Sequence, residues 1–171
     1  MANKSILILV DGMRPDALPV CGNRYCSEIL STGAVQLPGR SVMPSVTLPC
    51  HISLFHSVPP TRHGTLTNTY AQQVRPVKSL FEVLHNAGKT CSMFYNWEPL
   101  RDVARPKSLT WSGYFNAYAD EHTDGILTDM ALQRIARHQP DGLHLFAVEF
   151  HVMVNVIHQL HKTRPLDHAH L

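Results

Sequence analysis

Ile6-Leu7-Ile8-Leu9-Val10 is an unbroken apolar run that stops at Asp11-Gly12. A strand covered on both faces reads this way, without polar alternation, so the run predicts a buried strand of a parallel sheet. Parallel neighbours need crossover connections, and the rest of the chain offers them. Residues 25–31 have helical spacing and end at Gly33. Residues 48–57 read as a helix with Thr47 as N-cap and Pro49 in the first turn, stopped by Val58-Pro59-Pro60. Residues 77–86 carry Leu80, Phe81, Val83 and Leu84 on one stripe and end before Gly88. Residues 124–138 form a further helix, capped by Thr123 or Asp124. Strands are expected at 90–95 and 143–150, with a short one at 34–37 closed by Pro38-Gly39. Residues 96–124 read as irregular and aromatic. Helices alternating with apolar strands give an α/β class with a mostly parallel sheet.

The chain has 171 residues, enough for one domain and hardly two. Its formal net charge is +2, with no long basic run, so composition gives no case for nucleic acid or an anionic membrane as partner. The first apolar run is too short for a signal-peptide core or a membrane span, and no later stretch is longer. A cytoplasmic location is the expectation. Cys21, Cys26, Cys50 and Cys91 make no CxxC pair, so reduced thiols are expected.

Ligands of open parallel sheets bind beyond the carboxyl ends of the strands. Asp11 sits at one such end. A carboxylate there can hold a cation against a phosphate, or can simply open a turn with Gly12. Thr47, at a helix N-terminus, can be a plain cap. It can also be a hydroxyl nucleophile, attacking phosphorus where free N–H groups and the helix dipole favour anions.

The combination is more specific. Met43-Pro44-Ser45-Val46-Thr47-Leu48-Pro49-Cys50-His51 resembles the nucleophile segment of the type I phosphodiesterase and nucleotide pyrophosphatase family, within the alkaline phosphatase superfamily. There a Pro-x-x-Thr-x-Pro-x-His stretch places the threonine nucleophile at a helix N-terminus. Ile8-Leu9-Val10-Asp11-Gly12-Met13-Arg14-Pro15-Asp16 resembles the family's first strand, whose aspartate is a metal ligand. The stretch from Leu54 through Pro59-Pro60-Thr61-Arg62-His63-Gly64 is similar to its helix-to-loop continuation.

The resemblance implies a metal-dependent hydrolase of phosphodiester or pyrophosphate bonds in small nucleotide-like substrates. It implies two zinc ions, Asp11 as a metal ligand, and Thr47 as both ligand and nucleophile. Cys50 takes the place of an asparagine that helps hold the phosphate in many relatives. Asn96 and Trp97, followed by Glu98, either line the substrate side or pack a loop. His51 and His63 read as structural.

The resemblance implies an alkaline-phosphatase-like layered fold, of which the front half is expected, over residues 1–149. After Val148-Glu149 the chain lacks the family's next aspartate and Gly-His, and residues 150–171 form a divergent, histidine-rich tail. His158 and His161 would share a helix face and could form a metal site of their own. A shifted reading frame or truncation is the more economical expectation. The alternative function is then a truncated, catalytically inactive homologue, at most a binding or structural remnant. A sulfatase is disfavoured because Cys50 is followed by His51-Ile52-Ser53-Leu54 and not by the Cys/Ser-x-Pro-x-Arg pattern. A flavodoxin-like phosphate loop is absent after the first strand.

Overall fold

The computed structural model describes residues 4–36, 39–73, 75–120 and 122–137, together with the backbone of 144–150. In chain order the elements are β1 (Lys4–Val10), α1 (Arg24–Thr32), α2 (Thr47–His56), α3 (Pro60–His63), α4 (Leu80–Asn86), β2 (Thr90–Tyr95), β3 (Trp111–Tyr114), α5 (Thr123–Arg137) and β4 (His144–Phe150). Short 3₁₀ turns lie at Pro15–Ala17 and Glu98–Val103.

The four strands form one sheet in the order β1-β4-β2-β3, and every pairing is parallel. The register sets Leu9 and Tyr95 both opposite Glu149, so β1 and β2 end at the same level on either side of β4. All strands point one way, and their carboxyl ends therefore share one edge of the sheet.

Alternation along β2 sends side chains to two apolar clusters. Cys91, Met93 and Tyr95 pack with Leu48, Ile52 and Phe55 of α2 and Phe81 of α4, and Leu7 and Leu9 of β1 join them. Phe55 and Phe81 stack with ring centroids 4.9 Å apart. On the opposite face, Phe94 packs with Leu127 and Ala131 of α5 and lies 4.7 Å from the Trp111 ring. The α/β class expected from the sequence is therefore present, with helices on both faces of a small parallel sheet.

The expectation that β1 is buried on both faces does not hold. Leu7 and Leu9 face α2, but Ile6 and Ile8 are 54% and 59% exposed. These two share the sheet face that α5 covers over β2, β3 and β4, and their exposure shows that this cover stops short of them. A continuous apolar run reports apolar neighbours available to both faces, not that both are filled.

Two further local expectations are corrected. Residues 34–36 form no strand: they are exposed and meet no partner strand, while Leu37 and Pro38 lie outside the described residues. Residues 96–124, expected to be irregular, contain β3. It is short, and its Gly113 has no side chain because the Trp111 ring lies across it: a Cβ would sit 2.3 Å from that ring. Glycine inside so short a strand weakens the sequence signal. The helix at 77–86 begins three residues later, at Leu80, where Ser79 and Glu82 form a reciprocal capping box. His138, Leu143 and the tail from His151 onward lie outside the described residues. All four cysteines are free thiols.

Candidate active site

Asp11 follows the last residue of β1, at the carboxyl edge of the sheet. Gly12 turns the chain away with φ of 69°, a conformation that favours glycine. The turn fixes the carboxylate, since the Gly12 N–H donates to Asp11 Oδ1 at 2.9 Å. The other carboxylate oxygen, Oδ2, accepts a hydrogen bond from Thr47 Oγ1 at 3.1 Å. Two residues 36 apart in sequence thus meet through one hydrogen bond, and both are half-buried.

Thr47 is not the N-cap of α2. Val46 holds that position with extended backbone, φ −120° and ψ 148°, and makes no side-chain cap. Thr47 is the first helical residue, so its hydroxyl is not spent on the helix backbone and is directed to Asp11 instead. The amides of this first turn are largely occupied. Leu48 N–H donates to Asn68 Oδ1 at 3.0 Å, Pro49 has none, and Cys50 N–H donates to Val46 O at 3.1 Å. The amide of Thr47 is the donor of this turn with no partner among the described residues.

Asn68 is a site residue that the motifs did not single out. It reaches from the loop after α3 and does from outside the work of an N-cap. A signal was present: valine is a poor cap, so a helix starting at Thr47 needs an acceptor from elsewhere. Which of the polar residues after Gly64 supplies it is a matter of tertiary structure.

Cys50 lies one turn beyond Thr47 on the same helix face. It borders a groove of about 520 Å³ between Arg40, Ser41 and Val42 on one side and Ser53, Leu54 and Ser57 on the other. Burial pushes its thiol pKa up, and the charge of Asp11 adds to this, so the thiol stays neutral.

Asn96 and Trp97 follow β2 at the same sheet edge as Asp11, two strand spacings away, roughly 10 Å. Asn96 is fully buried and donates through Nδ2 to Asp124 Oδ1 at 2.6 Å, tying β2 to the start of α5. Trp97 packs in the core with Leu100 and Val103. The structure thus brings together Asp11, Thr47 and Asn68, sets Cys50 one turn away, and turns the Asn96 and Trp97 side chains into the interior.

His51 and His63 are both buried. His51 Nδ1 bonds the Thr47 carbonyl at 2.7 Å, one turn back along α2. His63 Nε2 meets Ser53 Oγ at 2.9 Å, and its Nδ1 accepts the Thr65 N–H at 3.1 Å.

Among the described residues no three histidine, cysteine or acidic side chains gather to hold a metal ion. Asp11 Oδ2 and Thr47 Oγ1 are two adjacent oxygen donors, a set that suits one side of a single cation. They do not complete a two-ion centre. Among the described residues no helix is long and apolar enough to cross a membrane.

The model of the type I phosphodiesterase / nucleotide pyrophosphatase family matches residues 5–162. The chain belongs to that family. It is also 26% identical over 128 residues to ectonucleotide pyrophosphatase/phosphodiesterase family member 1 of Rattus norvegicus. That similarity covers 74% of this chain but only 14% of the rat protein's length. No solved structure matches significantly. The family so matched is that of type I phosphodiesterases and nucleotide pyrophosphatases.

Proposed function

We propose that Thr47 is the nucleophile for cleavage of phosphodiester or pyrophosphate bonds in nucleotide-like substrates. The observation that carries this is the direction of its hydroxyl: freed from capping, it points at the carboxylate of Asp11, 3.1 Å away. In the first step a bond forms between Thr47 Oγ1 and phosphorus, the bond to the leaving oxygen breaks, and the hydroxyl proton passes by way of Asp11 Oδ2 to that departing oxygen. The leaving alcohol or phosphate departs, and water then hydrolyses the threonine ester.

Asp11 holds the attacking oxygen in place through Oδ2. With Thr47 it would hold one divalent cation, and we take zinc as that ion. A cation bound there would lower the pKa of the hydroxyl and so make it a better nucleophile. The Thr47 amide, at the positive end of α2, donates to a phosphoryl oxygen. Asn68, whose carbonyl is engaged by Leu48 N–H, presents its NH₂ group beside the same turn as a second donor. The neutral thiol of Cys50 offers a weak contact at most, and the nearby Arg40 supplies positive charge to the groove.

The layered fold of the alkaline phosphatase superfamily is the architecture we propose around this site. The test is release of nitrophenol from a nitrophenyl nucleotide diester, with zinc added and metal content measured, for the native chain and Thr47→Ala. Cleavage that disappears in the variant supports the reading. Cleavage that persists in Thr47→Ala refutes the nucleophile assignment. A native chain that binds no metal and cleaves nothing is the inactive remnant.

A further inference from the structure

We infer that His63 is a positioning residue for this site, holding the loop of residues 64–68 so that Asn68 closes the N-terminus of α2 beside Thr47. His63 ends α3 and is 1% exposed. Gly64 follows with φ of 81°, which reverses the chain and brings the Thr65 N–H back onto the ring at Nδ1. An acceptor at Nδ1 fixes the tautomer: the proton sits on Nε2, which donates to Ser53 Oγ at 2.9 Å.

One ring therefore joins Ser53 of α2 to the Thr65 amide near the start of the loop. The loop's other end is joined to the same helix by Leu48 N–H and Asn68 Oδ1 at 3.0 Å. Ser53 and Leu48 are five residues apart on α2, so the loop is pinned to one helix at two points, and the His63 ring is the inner pin. Only the neutral ring can do this. A second proton would set an N–H at Nδ1 against the N–H of Thr65.

The surroundings favour the neutral ring. Burial lowers the His63 pKa most, the neighbouring His56 of α2 lowers it further, and a hydrogen bond to the Pro49 backbone opposes them without reversing the direction. His63 lines a pocket that the guanidinium groups of Arg62 and Arg75 also border, and Arg62 Nη1 donates to the Arg75 carbonyl at 2.7 Å. Among the described residues no carboxylate lines that pocket.

The inference deepens the proposed reaction and rests on it only for its consequence, the placing of a donor beside Thr47. Its test does not use cleavage. Hydrogen exchange at the Leu48 amide reads the Asn68 contact, and the Phe55 amide, deep in α2, reads the helix itself. In His63→Phe, Leu48 protection is expected to fall roughly tenfold while Phe55 protection is unchanged. His63→Asn keeps an acceptor near the Nδ1 position and is expected to recover most of that loss.

Ser53→Ala removes only the inner pin's partner and is expected to give a smaller loss at Leu48, again with Phe55 unchanged. It carries the test if His63→Phe does not fold. Unchanged Leu48 protection in His63→Phe, or in Ser53→Ala where that variant carries the test, overturns the inference. So does an equal loss at Leu48 and Phe55 in Ser53→Ala. Failure of the native chain to cleave a nucleotide diester would instead count against the proposed reaction and leave the Leu48 result standing.

Discussion

At the scale of single residues, the decisive difference lies between a cap and the first residue of a helix. The sequence offers Thr47 as a cap because threonine favours that place. The structure moves the helix start by one position, and the hydroxyl changes its task from serving an amide to meeting Asp11. Propensity could not settle this, because the acceptor for Leu48 N–H comes from Asn68, twenty residues away. Asn68→Ala is expected to destabilise the fold by about 1 kcal/mol, read from urea unfolding. Val46→Ser in that background is expected to restore part of the loss by supplying a local acceptor for Leu48 N–H. Full stability in Asn68→Ala would show that this end of the helix needs no partner.

Asp11 was legible as a strand-end carboxylate, and its placing beside Thr47 agrees with the motif that linked them. Asn96 and Trp97 were legible as strand-end residues, but not the direction of their side chains. Asn96 turns inward because Asp124, at the start of α5, accepts its amide. That partner lies 28 residues away and carries no local signal.

At the scale of elements, α4 shows a signal that was present and read loosely. Ser79 accepts from Glu82 N–H while the Glu82 carboxylate accepts from Ser79 N–H, which places the helix start at Leu80. Ser79→Ala is expected to cost about 1 kcal/mol in chemical denaturation. The packing of α2 against α3 predicts a pH dependence. Burial is the leading cause that lowers the pKa values of His56 and His63 below the ordinary histidine value of 6.5. The unfolded chain therefore takes up protons at these sites before the folded chain does. Their contribution to stability is complete above pH 6.5 and declines as pH falls through 6.5 towards the lower folded values. Urea midpoints at about pH 7.5 and about pH 5.5 test this, with a lower midpoint expected in acid. His63→Asn is expected to reduce the difference, and an unchanged difference would remove His63 from the explanation.

At the scale of the whole molecule, the sheet was legible because its strands are apolar runs separated by helices. Its topology was not, because a run does not name its neighbour. β4, last of the described elements, lies between β1 and β2, and only long-range pairing sets that order. The two sides of the sheet differ in cover. One joins α2 and α4 to β1 and β2, whereas the other rests on α5 and leaves Ile6 and Ile8 exposed. Phe94 is fully buried at the centre of that second side, against Leu127 and Ala131. Phe94→Ala is expected to cost about 3–5 kcal/mol, read as a fall in the unfolding midpoint. A cost below about 1 kcal/mol would mean that α5 does not hold this face of the sheet.

Thr47 is the proposed attacking group, and a covalent adduct on its side chain is the decisive observation. The chain would be mixed with a nucleotide diester and zinc, quenched in acid during turnover, digested, and its peptides weighed. The expected result is a nucleotidyl or phosphoryl mass on the peptide containing Thr47, missing in Thr47→Ala, whose turnover falls by at least about a thousandfold. Turnover with no adduct on Thr47, and undiminished in Thr47→Ala, would contradict it.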